Sequence, residues 1–135
     1  MKILGLHHVA IATESLEGHI TIFEDLFGLE GATPEANPAN NLKLAFVNVL
    51  NTDIEFLEPL DKNSPISNFL DKRGSAIHHI CLLVDDIEEA LAELKAKNVA
   101  LIDEKPGPGA EGSRIAFIHP QSTGGILIEL KQSKL

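Results

Sequence analysis

Two histidines and two glutamates occupy matching positions in the two halves of this chain. His8 lies in LHHVAIA and His79 in IHHICLL, 71 residues further on (79 minus 8). Glu55 lies in DIEFLEPL and Glu129 in ILIEL, 74 residues further on (129 minus 55). Neutral imidazoles together with carboxylates suit a divalent transition metal. The residue types and their spacing therefore predict one divalent ion held by these four side chains.

The chemistry of such an ion would be that of a Lewis acid. A cation explains how two neighbouring buried carboxylates could both stay ionised. Four protein ligands would leave two positions of a six-coordinate ion free to polarise a substrate carbonyl. A lone histidine or glutamate on a strand is more often structural or solvated. The duplication is what favours ligands here.

The elements that position these residues are repeated as well. Residues 6–20 and 77–91 are each typical of an alternating strand followed by an amphipathic helix, with Ser15 and Asp86 as natural N-caps. Each helix is followed by a Gly/Pro-rich loop and by at least two further strands. The loops and strands are 31–41, 42–49 and 53–60 in the first half and 104–112, 114–120 and 126–130 in the second.

This order predicts an α+β fold of two repeated βαβββ modules forming a cupped mixed sheet with helices outside. The prediction is a single domain of 1–135, with module one at about 1–60, a linking helix at 64–74 and module two at about 75–135.

Strand alternation assigns the histidines to faces. His8 and His79 are predicted to face the inside of the cup with the two glutamates, whose apolar flanks pack under the helices. His7 and His78 fall on the packed face and are predicted to be structural. We expect His19 to be solvated on the first helix, and His119 to lie at the rim.

Composition excludes several classes of function. The formal net charge is −9 and there is no Trp or Tyr, so nucleic acid and anionic membranes are unfavourable partners. Cys81 is the only cysteine, which excludes an internal disulfide and a cysteine-based zinc site. No apolar run approaches the ~20 residues of a membrane span. We expect a cytoplasmic protein.

With these features in place, the chain resembles the vicinal oxygen chelate (glyoxalase/bleomycin resistance/dioxygenase) superfamily over essentially its whole length. Within that superfamily it is most similar to the methylmalonyl-CoA epimerase family. The metal ligands of that family fall on His8, Glu55, His79 and Glu129, and position 55 is Gln in some relatives. The matching segments are 6–12, 51–60, 64–80, 84–99 and 114–130.

The resemblance implies a metal-dependent epimerase that interconverts (R)- and (S)-methylmalonyl-CoA by 1,1-proton transfer. A base removes the α-proton, the ion stabilises the enolate, and a second group returns a proton on the other face. It implies Glu129 as one acid–base group and cobalt as the commonest ion, with manganese, zinc or nickel as alternatives. It also implies a small-molecule acyl-CoA partner and a homodimer.

The chain departs from the family pattern in two places. Leu44 stands where some relatives have a second catalytic glutamate, and Glu35 is the candidate that could replace it. Gln121 stands where the family often has a lysine that could contact CoA phosphate. The remaining basic candidates for that contact are Lys72, Arg73 and Arg114.

Two other functions remain open from the sequence. A lactoylglutathione lyase of the glyoxalase I type has a similar ligand order and a related proton shuttle. A non-catalytic protein of the same fold could bind a ligand without turning it over. The segment HPQSTGG (119–125) and the helix beginning SPI favour the epimerase.

Overall fold

The computed structural model describes residues 1–31 and 33–134. These residues form strands and helices in the order β-α-β-β-β, a linking helix, and β-α-β-β-β again. The strands are β1 (Ile3–Ala12), β2 (Glu35–Asn37), β3 (Leu42–Asn48), β4 (Asp53–Pro59), β5 (Ala76–Val84), β6 (Gly107–Pro108), β7 (Arg114–Ile118) and β8 (Ile128–Gln132). The helices are α1 (Leu16–Phe27), α2 (Pro65–Arg73) and α3 (Ile87–Ala96).

The chain divides into two compact units. One is His8–His78, called here the 8–78 unit. The other combines Met1–His7 with His79–Leu135 and is called the 79–135 unit. The first strand therefore contributes its start to one unit and its end to the other.

In the 8–78 unit, β4 is the central strand. It runs parallel to the end of β1 and antiparallel to β3, which in turn pairs antiparallel with β2. Helix α1 begins at Ser15, whose side chain accepts a hydrogen bond from the Gly18 N–H, and ends at Gly28 with φ 65°. Leu16 and Ile20 of this helix pack on one face of the sheet, in a cluster with Phe56.

Helix α2 packs on the opposite face of the same unit. Ser64 caps it through a hydrogen bond from the Ile66 N–H, and proline occupies its first position, where a missing N–H costs nothing. Ile66 and Leu70 pack against three residues of the sheet. These are Ala10, Ala12 and Leu57.

In the 79–135 unit, β8 runs parallel to β5 and antiparallel to β7, and β7 pairs antiparallel with β6. Asp86 caps α3 by accepting a hydrogen bond from the Glu89 N–H. The buried side of α3 packs on the face that carries Ile128 and Leu130. The start of β1 is tied to this unit because the Asp85 N–H donates to the Lys2 carbonyl.

The predicted α+β class and both βαβββ modules are confirmed, as are the two N-caps. The linking helix spans Pro65–Arg73, close to the predicted 64–74. The single-domain prediction stays a prediction. In the described part of the chain no helix has the length and apolar character needed to cross a membrane.

Candidate metal centre

The first candidate pair lies in the 79–135 unit. In the parallel pairing of β5 with β8, Glu129 stands opposite Cys81, two residues after His79. The Nε2 atom of His79 lies 3.1 Å from Oε2 of Glu129. His79 is 4% exposed and Glu129 7%. The apolar neighbours of Glu129 pack on the α3 face, so alternation directs the carboxylate to the other face.

The second candidate pair repeats this arrangement in the 8–78 unit. Glu55 of β4 stands opposite Ala10, again two residues after the histidine, which here is His8. The Nε2 atom of His8 lies 3.4 Å from Oε1 of Glu55. His8 is 2% exposed and Glu55 8%. Both units therefore build the pair with the same strand register.

Each pair is flanked by a phenylalanine that we did not single out from the sequence. Phe46 stands opposite Glu55, and its ring meets that of His8 edge-on at 5.7 Å between centroids. Phe117 stands opposite Glu129 and meets His79 edge-on at 5.3 Å. The signal was present, because Ala-Phe recurs at an offset of 71 (117 minus 46). Edge-on packing restrains each imidazole ring and excludes water beside it.

The donor set of each pair fits a divalent ion. Two nitrogen or oxygen ligands that bind one ion at about 2.1 Å and at right angles lie about 3.0 Å apart. The Nε2-to-oxygen separations of 3.1 and 3.4 Å are close to that value. A buried carboxylate beside an imidazole also gives an ion the anionic and neutral ligands that transition metals accept.

The other histidines have structural contacts. His78 packs edge-on against Phe69 of α2, with ring centroids 4.8 Å apart. His119 is exposed, and its Nδ1 accepts a hydrogen bond from the Gln121 N–H at the start of a 3₁₀ turn. The expectation that His19 is solvated was wrong. It is half-buried, with Nδ1 2.6 Å from the Thr13 hydroxyl oxygen, because Thr13 turns back over the first turn of α1.

The candidate for the second acid–base group lies in a strand rather than in a loop. Glu35 is the first residue of β2 and stands directly opposite Leu44 of β3. Directly opposed residues of an antiparallel pair present their side chains on the same face. Leu44 packs with Ala10 and Leu57, on the face of the 8–78 unit that carries His8 and Glu55. Glu35 is exposed at the edge of that face.

Two of the basic candidates for a CoA contact have partners. Arg114 forms a 2.8 Å ion pair with Glu88, and the Arg73 guanidinium lies over the Phe69 ring at 5.3 Å. Both contacts involve exposed groups that a phosphate could displace at little cost.

Comparison with known proteins shows the family of this chain. The family model of the Glyoxalase/Bleomycin resistance protein/Dioxygenase superfamily matches residues 7–117. The mitochondrial methylmalonyl-CoA epimerase of Dictyostelium discoideum is 44% identical over 128 residues, 94% of this chain and 77% of that protein. This chain belongs to that superfamily, in its methylmalonyl-CoA epimerase family.

Two further relatives support the assignment. An ethylmalonyl-CoA/methylmalonyl-CoA epimerase of Cereibacter sphaeroides is 38% identical over 94% of this chain and 96% of that protein. The crystal structure of methylmalonyl-CoA epimerase from Mycobacterium tuberculosis superposes with a TM-score of 0.92 at 35% identity. That superposition covers 98% of this chain and 90% of the other. The resemblance inferred from the sequence motifs is confirmed.

Proposed function

We propose that this protein epimerises methylmalonyl-CoA by removing and returning the α-proton beside one divalent ion. The ligands in this proposal are His8, Glu55, His79 and Glu129, and the ion is cobalt, with manganese, zinc or nickel as alternatives. The similarity to named epimerases supports the substrate. The observation that carries the proposal is the duplicated His–Glu pair, buried in both units in one register.

The duplication supports joint binding of one ion. A His–Glu pair alone offers an ion two ligands, fewer than the three or four protein ligands usual for a catalytic site. Two such pairs in equivalent positions supply a complete set. A shared ion would also counter the negative charge of two buried carboxylates.

The chain's own residues handle the proton in this reaction. A bound divalent cation supplies the positive charge that favours enolate formation next to a thioester. Glu129 accepts the α-proton from one face of the substrate. Phe46 and Phe117 pack edge-on against the two histidines and hold their rings in place. Inversion then requires a proton donor on the opposite face.

Glu35 is the group we propose for that second face. It stands beside Leu44, the position where some relatives have a glutamate, and on the same face of the sheet. A carboxyl group offered from β2 can thus occupy the space served by a glutamate on β3. Its exposure leaves it free to exchange protons with solvent.

Metal content tests the site. Purified protein loaded with cobalt is expected to retain about one ion per chain by elemental analysis. His79→Ala should lower that content sharply. His119→Ala is the matched control, because His119 is exposed and caps a 3₁₀ turn. Equal cobalt in wild type and His79→Ala would rule out the proposed ligand set.

Isotope exchange tests the reaction. The cobalt-loaded protein is incubated with one epimer of methylmalonyl-CoA in deuterated water, and the α-hydrogen is followed by NMR. Exchange with appearance of the other epimer is the expected result. Turnover of the glutathione–methylglyoxal adduct without α-exchange would assign a lyase of the glyoxalase I type. Binding without either reaction would assign a non-catalytic protein.

The oligomeric state of the protein and its location in the cell are two further properties. We propose a homodimer that acts in the cytoplasm, as the sequence resemblance and the single cysteine suggest. Analytical ultracentrifugation of the cobalt-loaded protein and localisation of the tagged chain test the two statements.

A further inference from the structure

A lysine lies on the same face of β8 as the candidate ligand Glu129. Lys131 is two residues further along the strand, so its side chain leaves the strand on the same side as that of Glu129. The two Cα atoms are about 6.7 Å apart. It is only 7% exposed. It stands between Leu83 of β5 and Ile115 of β7, which are its direct partners in the sheet.

In the part of the chain that the structure describes, no carboxylate pairs with this lysine. Among residues 1–31 and 33–134, none forms an ion pair or a hydrogen bond with the Lys131 ammonium group. Lysine is almost never buried without a partner, because an unpaired charge away from water is costly. The nitrogen is not among the fully enclosed polar atoms, so it reaches a space that water or a small ligand can enter.

The internal repeat shows how unusual the position is. Glu55 corresponds to Glu129, so Lys131 corresponds to Leu57 at the same offset of 74 (131 minus 57). Leu57 is buried beneath Ile66 and Leu70 of α2. In the 79–135 unit the hydrophobic cluster is formed with α3 on the other face of the sheet.

A loop lies close to Ile115, the direct partner of Lys131 in β7. The backbone of Gly109 approaches this face so closely that a Cβ there would lie 2.5 Å from Ser113 Oγ and 2.7 Å from Cγ2 of Ile115. Ser113 Oγ is buried and has no hydrogen-bond partner among the described residues. Because Ile115 is the direct partner of Lys131, the loop and its buried serine hydroxyl lie on the side of β7 to which the lysine belongs.

We propose that the Lys131 ammonium binds the free carboxylate of a malonyl-type acyl group and selects substrates that carry one. This inference rests on the proposed function. A methylmalonyl thioester has its carboxylate on the α-carbon, a few bonds from the proton that Glu129 removes. The CoA phosphates lie at the far end of the pantetheine arm, so a lysine this close to Glu129 reaches the acyl group and not the phosphates.

Calorimetric titration of the cobalt-loaded protein with malonyl-CoA and acetyl-CoA tests the proposal, because the two ligands differ in the carboxylate alone. Wild type is expected to prefer malonyl-CoA. Lys131→Met should reduce that preference about tenfold or more, while acetyl-CoA affinity stays within about twofold. Lys131→Arg, which keeps the charge, should retain part of it.

Lys105→Met is the matched control, since it also removes one positive charge from the 79–135 unit, at an exposed position. It should leave both affinities unchanged. Equal malonyl-CoA preference in wild type and Lys131→Met, with cobalt content intact, would overturn the role of Lys131. Equal losses in affinity for both ligands would assign the lysine to CoA phosphate or to structure, and would likewise overturn it.

The result can be separated from that of the proposed function. If the wild type fails to exchange the α-proton but prefers malonyl-CoA through Lys131, the subsite stands and the epimerase assignment fails. If the wild type epimerises its substrate and Lys131→Met does so with unchanged KM, the assignment stands and the subsite fails. A raised KM with nearly unchanged kcat is the expected outcome.

Discussion

The 8–78 unit and the 79–135 unit build the same pair of side chains and then differ two residues later. Both place a histidine, a glutamate and a phenylalanine in one register. Beyond the glutamate, one unit has Leu57 packed under α2 and the other has the buried Lys131. The candidate ligand positions have the same residue types in both units, whereas the position two residues later is a packed leucine in one unit and a lysine in the other.

A second repeated contact makes the divergence clearer. Lys43 pairs with Glu17 at 2.7 Å, and Arg114 pairs with Glu88 at 2.8 Å. Both partners recur at an offset of 71 (114 minus 43 and 88 minus 17). Each pair joins the first helix of its module to a middle strand. Helix attachment and ligand geometry are thus shared, and the difference is concentrated around α2 and the loop at Gly109.

The largest expected effect is a difference in kcat between substitutions of the two glutamates. Glu129→Gln removes the proposed base and should lower kcat about 10³-fold. Glu55→Gln keeps an amide oxygen that can still bind an ion, so the loss in kcat should be much smaller. Assays of α-hydrogen exchange, stopped at set times, check this prediction, with the cobalt content of each variant measured in parallel. Equal losses at both positions would show that the two pairs have the same role.

Swapping the residue types of Leu57 and Lys131 should have very different effects on the free energy of unfolding. Leu57→Lys places an unpaired ammonium beneath α2 and should lower the free energy of unfolding by about 3 kcal/mol or more. Lys131→Leu removes an ammonium group that water can reach and should leave that free energy nearly unchanged. Urea denaturation of both variants gives the comparison. A stable Leu57→Lys protein would mean that α2 moves aside easily.

The second acid–base group should show an intermediate effect. Glu35→Gln should lower epimerisation about a hundredfold, while the α-proton of one epimer still exchanges with deuterium through Glu129. Adding Leu44→Glu to that variant should restore part of the activity, because residues 35 and 44 are directly opposed. Loss of exchange in both epimers would assign Glu35 a structural role.

The smallest effect concerns the duplicated surface pairs. The hydrogen bond from Lys43 lowers the pKa of the Glu17 carboxyl. A lowered folded-state pKa means that the pair stabilises the fold above the carboxyl's ordinary pKa and that this contribution is lost as pH falls through the lowered value. Lys43→Met should therefore lower Tm slightly at neutral pH and not in acid, and less in high salt. A Tm difference that persists in acid would indicate lost side-chain packing instead.

Most of the fold and the two buried His–Glu pairs could be predicted because duplication records them twice. The pattern of His8 and His79 and of the two glutamates needs no knowledge of packing. Lys131 was missed because a lysine in a strand is ordinarily exposed, and its burial depends on the loop at Gly109. His19 was misjudged because a side chain outside the helix, that of Thr13, binds it.

The division into units could not be read from the repeat for a related reason. The repeat boundary falls near residues 60–75, but contacts assign Met1–His7 to the later part of the chain. A repeat reports common ancestry, whereas a compact unit reports which side chains were buried together. The two agree only when no strand is shared.

The shared first strand has a consequence for protein engineering. The Met1 amino group binds Glu93, and Lys2 exchanges hydrogen bonds with Asp85, so the later half depends on residues at the start of the chain. Cutting at the repeat boundary would deprive fragment 75–135 of those partners. A split reporter built from this scaffold should thus regain structure when its two fragments are mixed. The first strand would then bind the later fragment and stabilise it.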